Sequence, residues 1–372
     1  MRVLVCGLKE MPAGHGGISR VTEEIHSRLA ATGFRVTLFT RDNRESEPCT
    51  YRGMEVRPSP FMEHKYLCYF TYMARVFSKI VSGRERDAIV HLHNPAINGL
   101  WALLFRLAGY RVVCHTHGLE WRAAKWPPWF GLFMRMSTRL ATLASDLFFC
   151  VSREECDYLS STTIRPCACV HLPNGRLASA PRPEDATTRS LGLTPGDFYL
   201  YAGRLVPQKA VLELLAGYAL ARSTRKLVLV GGSSFSDEYC VRVREVAATV
   251  AGVVLAGWLP HELLLQLYPA CYAFILPSYH EGCPNVLLEA LSCGCVCAIS
   301  DIRSHREIAN SAPAFFPAGD VSALAKVLGR LERDKPYYAA RKAACEATFE
   351  RLPTWDAAAD TVAEGYRSLL HA

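Results

Sequence analysis

Short runs of four to seven mostly apolar residues recur along the chain. Between many of them lie longer stretches whose apolar positions repeat every three or four residues. Runs of the first kind read as buried strands and the longer stretches as amphipathic helices. Val3-Leu4-Val5-Cys6-Gly7 opens the series. A glycine loop (Gly14-His15-Gly16-Gly17) leads to a helix from Ser19 to Thr32, closed by Gly33, and Phe34 to Thr40 is the next strand. Ala88–His93, Arg111–His115 and Leu147–Val151 are further strands, with Ser152 placed to cap a following helix. After the turn Pro173-Asn174-Gly175 the pattern restarts with Phe198–Ala202, a helix over Val211–Arg222, and strands at Lys226–Val230, Val253–Ala256, Ala273–Leu276 and Val296–Ser300. An amphipathic helix spans Thr354–Leu370.

Strand and helix alternating in this way predicts parallel sheets with helices on both faces. The 372 residues suit two domains of somewhat under about 200 each. The segment Ala178–Pro195 is rich in Ala, Pro, Thr, Asp and Arg and poor in apolar anchors, so the linker is expected there. The domains are then 1–177 and 178–353, followed by the helix of 354–372.

Half the residues are hydrophobic and a fifth are charged, enough to fill two cores without bulk disorder. The net charge of +7 suits an anionic substrate or an anionic membrane surface. Without a compact Lys/Arg run or a recognition motif it does not point to nucleic acid. The fifteen cysteines are odd in number and scattered, many in apolar strands, and read as small buried hydrophobes in a reducing compartment. Cys167-x-Cys169 and Cys293-x-Cys295-x-Cys297 lack a second half to complete a tetrahedral site, so no metal is expected. His91, His93, His115 and His117 have no Cys or carboxylate at ligand spacing and are not read as a zinc site. Arg2 enters a strand with no signal-peptide core before it, and the longest apolar stretch, Ile97–Tyr110, is interrupted by Asn98, Gly99 and Arg106. A cytoplasmic location is expected.

The most informative segment is Pro277-Ser278-Tyr279-His280-Glu281-Gly282-Cys283-Pro284-Asn285-Val286-Leu287-Leu288-Glu289. A strand stops at Pro277, a polar loop holds Glu281 and Gly282, and Pro284 is expected at the first helical position, with the stop at Gly294. A strand, a glycine loop and a helix N-terminus together gather free amides and the positive end of a helix dipole, which suits an anion. Read as helix, the eight residues from Glu281 to Glu289 span roughly 12 Å. Glycosidase carboxylate pairs stand about 5–9.5 Å apart. The two glutamates therefore fit different parts of one long ligand better than one scissile bond, and the spacing alone also fits two surface glutamates. Arg204 and Lys209 follow the strand Phe198–Ala202, at the strand end where open α/β sheets bind ligands; they suit a diphosphate, or are two solvated cations. Gly16-Gly17 before a helix permits close approach of a phosphate, without forming a G-x-G-x-x-G fingerprint, and equally suits an ordinary loop.

These segments, in this order and across nearly the whole chain, resemble the retaining glycosyltransferases of the GT-B fold, glycosyltransferase family 4 type. The resemblance implies two Rossmann-like domains with parallel sheets facing a central cleft, the second holding most of the nucleotide. It implies that Glu281 lies near the donor sugar and Glu289 on the ribose. The amides of Gly282, Cys283, Asn285 and Val286, around Pro284, would cover sugar and diphosphate. Gly16 and Gly17 match the donor-phosphate loop, His117 with Gly118 approaches the sugar ring, and Leu259 in Trp258-Leu259-Pro260 falls where the base is held. Gly203-Arg204-Leu205-Val206-Pro207-Gln208-Lys209 matches the family pattern, except that Ala210 stands where the family has glycine. The C-terminal helix is implied to cross back to the first domain.

The expected activity is transfer of a hexose from a nucleotide diphosphate sugar to the hydroxyl of a saccharide or lipid-linked acceptor, with retention, in polysaccharide or glycolipid synthesis. Glu281, Arg204, Lys209 and His117 are the expected catalytic residues. No metal cofactor is expected, because no D-x-D element is present and protein cations take the electrostatic role. A nucleotide-sugar epimerase on the same fold, or an inactive partner protein, are the alternatives. Aromatic and basic residues mix over Trp121–Leu140 and Met62–Lys79, and the string Gly118-Leu119-Glu120-Trp121-Arg122-Ala123-Ala124-Lys125-Trp126 resembles bacterial surface-polysaccharide transferases. The mixture suits an anionic membrane at the inner face, or a core helix with its solvated edge.

Overall fold

The computed structural model describes all residues except 15, 44–46, 65–66, 84–86, 123–126, 164, 166, 180–184, 233–237 and 372. His15 and Lys125, and 180–184 of the segment read as a linker, lie outside the described residues. The chain separates into two compact units. One runs to Asn174 and is completed by Trp355–Ala372; the other takes Gly175–Thr354. The change therefore falls at the Asn174-Gly175 turn, before the Ala- and Pro-rich segment, in which Asp185–Ser190 forms a short helix of the second unit.

The first unit holds β1 (Arg2–Leu8), α1 (Gly17–Ala31), β2 (Arg35–Arg41), β3 (Cys49–Tyr51), β4 (Met54–Ser59) and α2 (Leu67–Ser82). It continues with β5 (Ile89–His93), α3 (Pro95–Leu107), β6 (Arg111–His115), α4 (Pro128–Ala144), β7 (Leu147–Cys150), α5 (Arg153–Thr162) and β8 (Ala168–His171). The strands lie in the order β3-β4-β2-β1-β5-β6-β7-β8, parallel throughout except for the edge hairpin β3–β4. Alternate residues of each strand face opposite layers. Val3, Val5, Ile89, Val113 and Phe149 pack toward α1, whereas Leu4, Cys6, Val90, Val112 and Phe148 pack with residues of α2 and α3. Helix α3 meets α4 closely at Gly99, where a Cβ would stand 1.7 Å from the Ser137 carbonyl oxygen.

The second unit runs through α6 (Asp185–Ser190), β9 (Phe198–Ala202), α7 (Val211–Ala221), β10 (Lys226–Val230), α8 (Glu238–Thr249) and β11 (Val253–Gly257). Then come α9 (His261–Ala270), β12 (Ala273–Leu276), α10 (Asn285–Ser292), β13 (Cys297–Ser300), α11 (Arg303–Ala309), β14 (Ala314–Phe316), α12 (Val321–Arg333) and α13 (Lys335–Thr348). Its sheet is wholly parallel, in the order β11-β10-β9-β12-β13-β14. The last helix, α14 (Trp355–His371), packs in the first unit, where Trp355, Val362 and Tyr366 join the core beside α1. Each sheet reverses its strand order once, between β1 and β5 in the first unit and between β9 and β12 in the second. Loops leaving the C-terminal ends of the strands at such a reversal part to opposite faces and leave a crevice.

Candidate active site

In the second unit the segments leaving β9 and β12 are tied together. Tyr279 N–H donates to the Gln208 carbonyl (2.9 Å), and Gln208 Nε2 donates to the His280 carbonyl (2.8 Å). Lys209 ends a 3-10 turn, Pro207–Lys209, and its ammonium pairs directly with Glu281 Oε1. Ser278 Oγ donates to the same oxygen at 2.6 Å. Both side chains of the pair are nearly buried, Lys209 11% and Glu281 8% exposed. Burial alone pushes the Glu281 carboxyl up. The Lys209 charge, with hydrogen bonds from Lys209 and Ser278, outweighs it and holds the group below the usual carboxylate range. Glu281 is therefore an anion at neutral pH.

Arg204 lies on the same β9 exit. It is exposed and makes no ion pair among the described residues, while its carbonyl accepts from Tyr201 Oη at 2.9 Å. The Tyr201 hydroxyl is raised by burial and by the Glu281 charge and lowered by Arg204, so it senses both groups. The carbonyl of Gly203 leaves no space for a side chain at position 231: a Cβ on Gly231, at φ +131°, would lie 1.9 Å from it. Ala210, which replaces the glycine of the family pattern, adopts the left-handed conformation (φ 51°, ψ 43°) with its methyl buried. It therefore bears the strain that the glycine would avoid.

Pro284 is the N-cap of α10, one residue before the position expected, because the helix begins at Asn285. Only the second half of the interval from Glu281 to Glu289 is helical, so a full eight-residue helical rise does not separate them. Glu281, Gly282, Cys283 and Pro284 are buried, and Asn285 and Val286 half-buried. Glu289 lies in α10, 8% exposed, with both oxygens engaged: His261 Nε2 is 3.0 Å from Oε1, and Tyr268 Oη donates to Oε2 at 2.9 Å. His261 follows Trp258-Leu259-Pro260. Leu259 is half-buried, and the Trp258 indole lies so close to Gly232 that a Cβ there would be 2.6 Å from its Nε1. The structure thus brings Lys209 to Glu281, and His261 to Glu289. Ser278, Tyr268, His261 and Gln208 were not singled out from the sequence: Ser278 sits in the Glu281 loop without a distinguishing pattern, and the other three reach their partners from separate segments.

In the first unit Gly16 is the N-cap of α1 and Gly17 its first residue, so the glycine pair opens the helix two residues before the expected start. A Cβ on Gly16 would meet only Ser19 Oγ, at 3.8 Å, so space does not require glycine there. His117 follows β6, with its Nε2 2.8 Å from His93 Nδ1. The loop before it is held by Glu155, which hydrogen-bonds Thr116 Oγ1 and the Gly118 amide. Glu155 is fully buried, and burial raises its carboxyl to about 7 against those hydrogen bonds. It stands three residues after the helix cap Ser152, whose Oγ accepts from the Glu155 amide at 3.3 Å, so the capping-box spacing was its available signal. His91, His93 and His115 each offer a ring nitrogen within 4.8 Å of the others. The strand pairing β5–β6, not any spacing along the chain, gathers them.

Residues 15–176 match the model of Glycosyltransferase Family 4, and residues 197–334 that of Glycosyl transferases group 1; between them they take in most of the chain. An O-antigen chain mannosyltransferase B of Escherichia coli is 31% identical over 142 residues, 37% of this chain and 37% of that protein. A serotype-specific mannosyltransferase WbdA of the same organism is 28% identical over 47% of this chain but only 22% of its own length, so the chain spans a minor part of both relatives. The UDP-Gal:alpha-D-GlcNAc-diphosphoundecaprenol alpha-1,3-galactosyltransferase of E. coli is 27% identical over 68% of each chain. Among solved structures, sucrose-phosphate synthase from Thermosynechococcus elongatus superimposes with a TM-score of 0.86 over 100% of this chain and 99% of its own, at 20% identity. Anabaena HepE in complex with UDP and glucose gives 0.80 over 99% and 100%, at 16% identity. At such identities the likeness establishes the fold, which is GT-B.

Proposed function

From a chain that belongs to the GT-B glycosyltransferases, with a family 4 first half and a group 1 second half, we propose a retaining enzyme that moves a hexose from a nucleotide diphosphate sugar to an acceptor hydroxyl. The observation that carries this reading is the buried Lys209–Glu281 pair, with Arg204 on the same exit from β9, at the strand ends where the second sheet reverses. The diphosphate binds to Arg204, to the remaining N–H groups of Lys209 and to the amides at the start of α10. The bond from sugar C1 to the diphosphate oxygen breaks, and these groups stabilise the charge left on the phosphate. The acceptor oxygen bonds to C1 from the same face, and its proton passes to the departing phosphate. Glu281, held ionised, has no proton to give; it stabilises positive charge on the ring. Glu289 takes the ribose hydroxyls in exchange for His261, and the base lies at Leu259. Within the first unit, Gly16, Gly17 and His117 are the candidates for phosphate and sugar contact. No metal is needed at the diphosphate.

Acceptors of the surface-polysaccharide kind are supported by the relatives' names, one of which specifies a diphosphoundecaprenol-linked sugar. Trp129, Leu132, Phe133 and Met136 are each 47–60% exposed along one side of α4, with exposed Arg135 and Arg139 among them. Leu100 and Leu107 of the neighbouring α3 are exposed as well. Apolar side chains for the acyl boundary and cations for anionic headgroups suit peripheral attachment to an anionic bilayer, such as the inner membrane face. No helix among the described residues is long and apolar enough to cross a membrane.

A panel of UDP-, GDP- and dTDP-sugars, scored for thermal stabilisation and for slow hydrolysis, tests the donor assignment. One donor is expected to raise the melting temperature through linkage, and Lys209→Ala to abolish the shift. An unchanged shift in Lys209→Ala removes Lys209 from the site. Proton exchange into the sugar without an acceptor would indicate an epimerase instead.

A further inference from the structure

The proposed transfer gives no role to the buried histidines of the first sheet. His91, His93 and His115 lie on the face of β5 and β6 that also carries Ile89 and Val113. Each is at most 1% exposed. Aliphatic side chains would pack there without the desolvation cost of an imidazole. A neutral imidazole carries one ring proton and one lone pair.

Two hydrogen-bond chains, each anchored on a backbone carbonyl, decide where those ring protons sit. The Thr22 carbonyl only accepts, so His26 Nδ1 donates to it (3.2 Å) and His26 Nε2 holds the lone pair. Tyr366 Oη, 3.2 Å away, donates to that lone pair and accepts from His91 Nδ1 at 2.6 Å. His91 Nε2 is left with a lone pair and no hydrogen-bond partner among the described residues. In the second chain Thr22 Oγ1 donates to the Ile18 carbonyl (2.9 Å) and accepts from His93 Nε2 (2.9 Å). His93 Nδ1 therefore presents a lone pair, met by His117 Nε2–H at 2.8 Å. His115 has no hydrogen-bond partner on either ring nitrogen among the described residues. Buried polar groups are rarely left in this state without an ion or a water to meet them.

We propose that His91, His93 and His115 bind a divalent transition-metal ion of the Zn2+ class inside the first unit. Zn–N bonds of about 2.0–2.1 Å in tetrahedral geometry place ligand nitrogens roughly 3.3 Å apart. The nitrogens, already within 4.8 Å of one another, close by at most about 1.5 Å on that standard. Tyr366 Oη and Thr22 Oγ1 already occupy the outer positions that fix tautomer and ring orientation in metal-ligating histidines. Binding exchanges the His93–His117 hydrogen bond for a metal bond and satisfies His91 Nε2 and one nitrogen of His115. Neutral imidazole suits Zn2+, Co2+, Ni2+ or Cu2+ and disfavours Mg2+ and Ca2+. No step of the proposed glycosyl transfer runs through the ion, so it stands or falls separately from that assignment.

The test titrates the chelator-stripped full chain with Co2+, then with Zn2+. The expected result is about one Co2+ per chain with the visible bands of tetrahedral nitrogen coordination, displaced by Zn2+. The near-ultraviolet sulfur-to-cobalt band that the fifteen thiols would produce is absent from this equivalent. His115→Gln loses the equivalent while keeping the wild-type circular dichroism; the exposed-loop variant His64→Gln retains it. Should His115→Gln fold poorly, ring-nitrogen NMR shifts of the wild type with and without Zn2+ report the ligands directly. Absence of the visible bands, an unchanged titration in His115→Gln, or ring shifts that do not move on adding Zn2+ would overturn the proposal and leave a buried water to meet the lone pairs.

Discussion

Removing the ammonium from the Lys209–Glu281 pair gives the sharpest test of the second unit's electrostatics. Lys209→Met keeps most of the stem's volume and leaves the Glu281 carboxylate 8% exposed, with Ser278 as its remaining side-chain donor among the described residues. Breaking a buried pair from one side costs about 3–5 kcal/mol, because the surviving charge stays desolvated. An exposed pair would cost at most about 1 kcal/mol. For a unit of this size the larger loss lowers the melting temperature by roughly 6–20 °C. Adding Glu281→Gln removes the stranded charge and is expected to restore most of the stability, so the two changes are strongly non-additive. Urea unfolding of the two single variants and the double variant measures all three terms. A Lys209→Met loss under about 1 kcal/mol, or additive losses, would refute the reasoning.

The pH dependence adds a change of sign. In the wild type the Glu281 pKa is below its unfolded value of 4.5, so its contribution is complete above pH 4.5 and is lost as pH falls through the folded pKa. In Lys209→Met burial is no longer outweighed and the carboxyl titrates above 4.5. The folded state then takes up the proton more readily than the unfolded chain. The variant should regain stability as pH falls through that folded pKa toward 4.5, where this pair gives the wild type no gain. Parallel profiles for the two proteins would mean that Glu281 is not controlled by Lys209.

Gly99→Ala should cost upward of about 3 kcal/mol, since its Cβ would sit 1.7 Å from the Ser137 carbonyl oxygen and backbone must move; chemical denaturation reads the loss. Glu289→Gln should erase the preference for a nucleoside diphosphate over its 2′-deoxy form and weaken the ribose form about tenfold, as for a lost charge-assisted hydrogen bond; calorimetric titration of both ligands decides it. Replacing Trp129, Leu132 and Met136 together by serine should abolish sedimentation with anionic vesicles without lowering the melting temperature, because all three are exposed; retained sedimentation would move the membrane contact off α4.

Most strands were legible because a parallel strand covered on both faces must be apolar at nearly every position. Phe198–Ala202 and Ala273–Leu276 are buried throughout and were placed to the residue. The hairpin β3–β4 escaped notice: Cys49–Tyr51 lies at the sheet edge, half in water, and carries no alternating pattern. Its turn places Arg52 at φ 47° before Gly53 at φ 77°, and arginine is not a residue that announces such a conformation. The segment 178–195 read as a linker by composition, yet Asp185–Ser190 is helical and Leu193 is buried. Neighbouring elements supply the apolar contacts that composition cannot reveal.

The site was legible one loop at a time. Sequence placed Arg204 and Lys209 after one strand and Glu281 after another. The ion pair joins residues 72 apart along the chain, and it forms because β9 and β12 are neighbours across the point where the strand order reverses. Strand order depends on which crossovers pack best, and local pattern does not encode it. The same holds for the histidines. His91, His93, His115 and His117 were not read as a zinc site for want of ligand spacing; register sets His93 opposite His115 and turns both toward α1 and α14. Ala210 works the other way. Its departure from the family glycine was visible at once, but only the dihedral angles show that the chain accepts a strained alanine beside Lys209. A strained residue next to a buried ion pair persists when its surroundings over-determine it. Here the 3-10 turn of Pro207–Lys209, the Gln208 links to the loop after β12 and the Lys209–Glu281 pair all hold the same few residues, so the cation's position is fixed by the fold before any donor arrives.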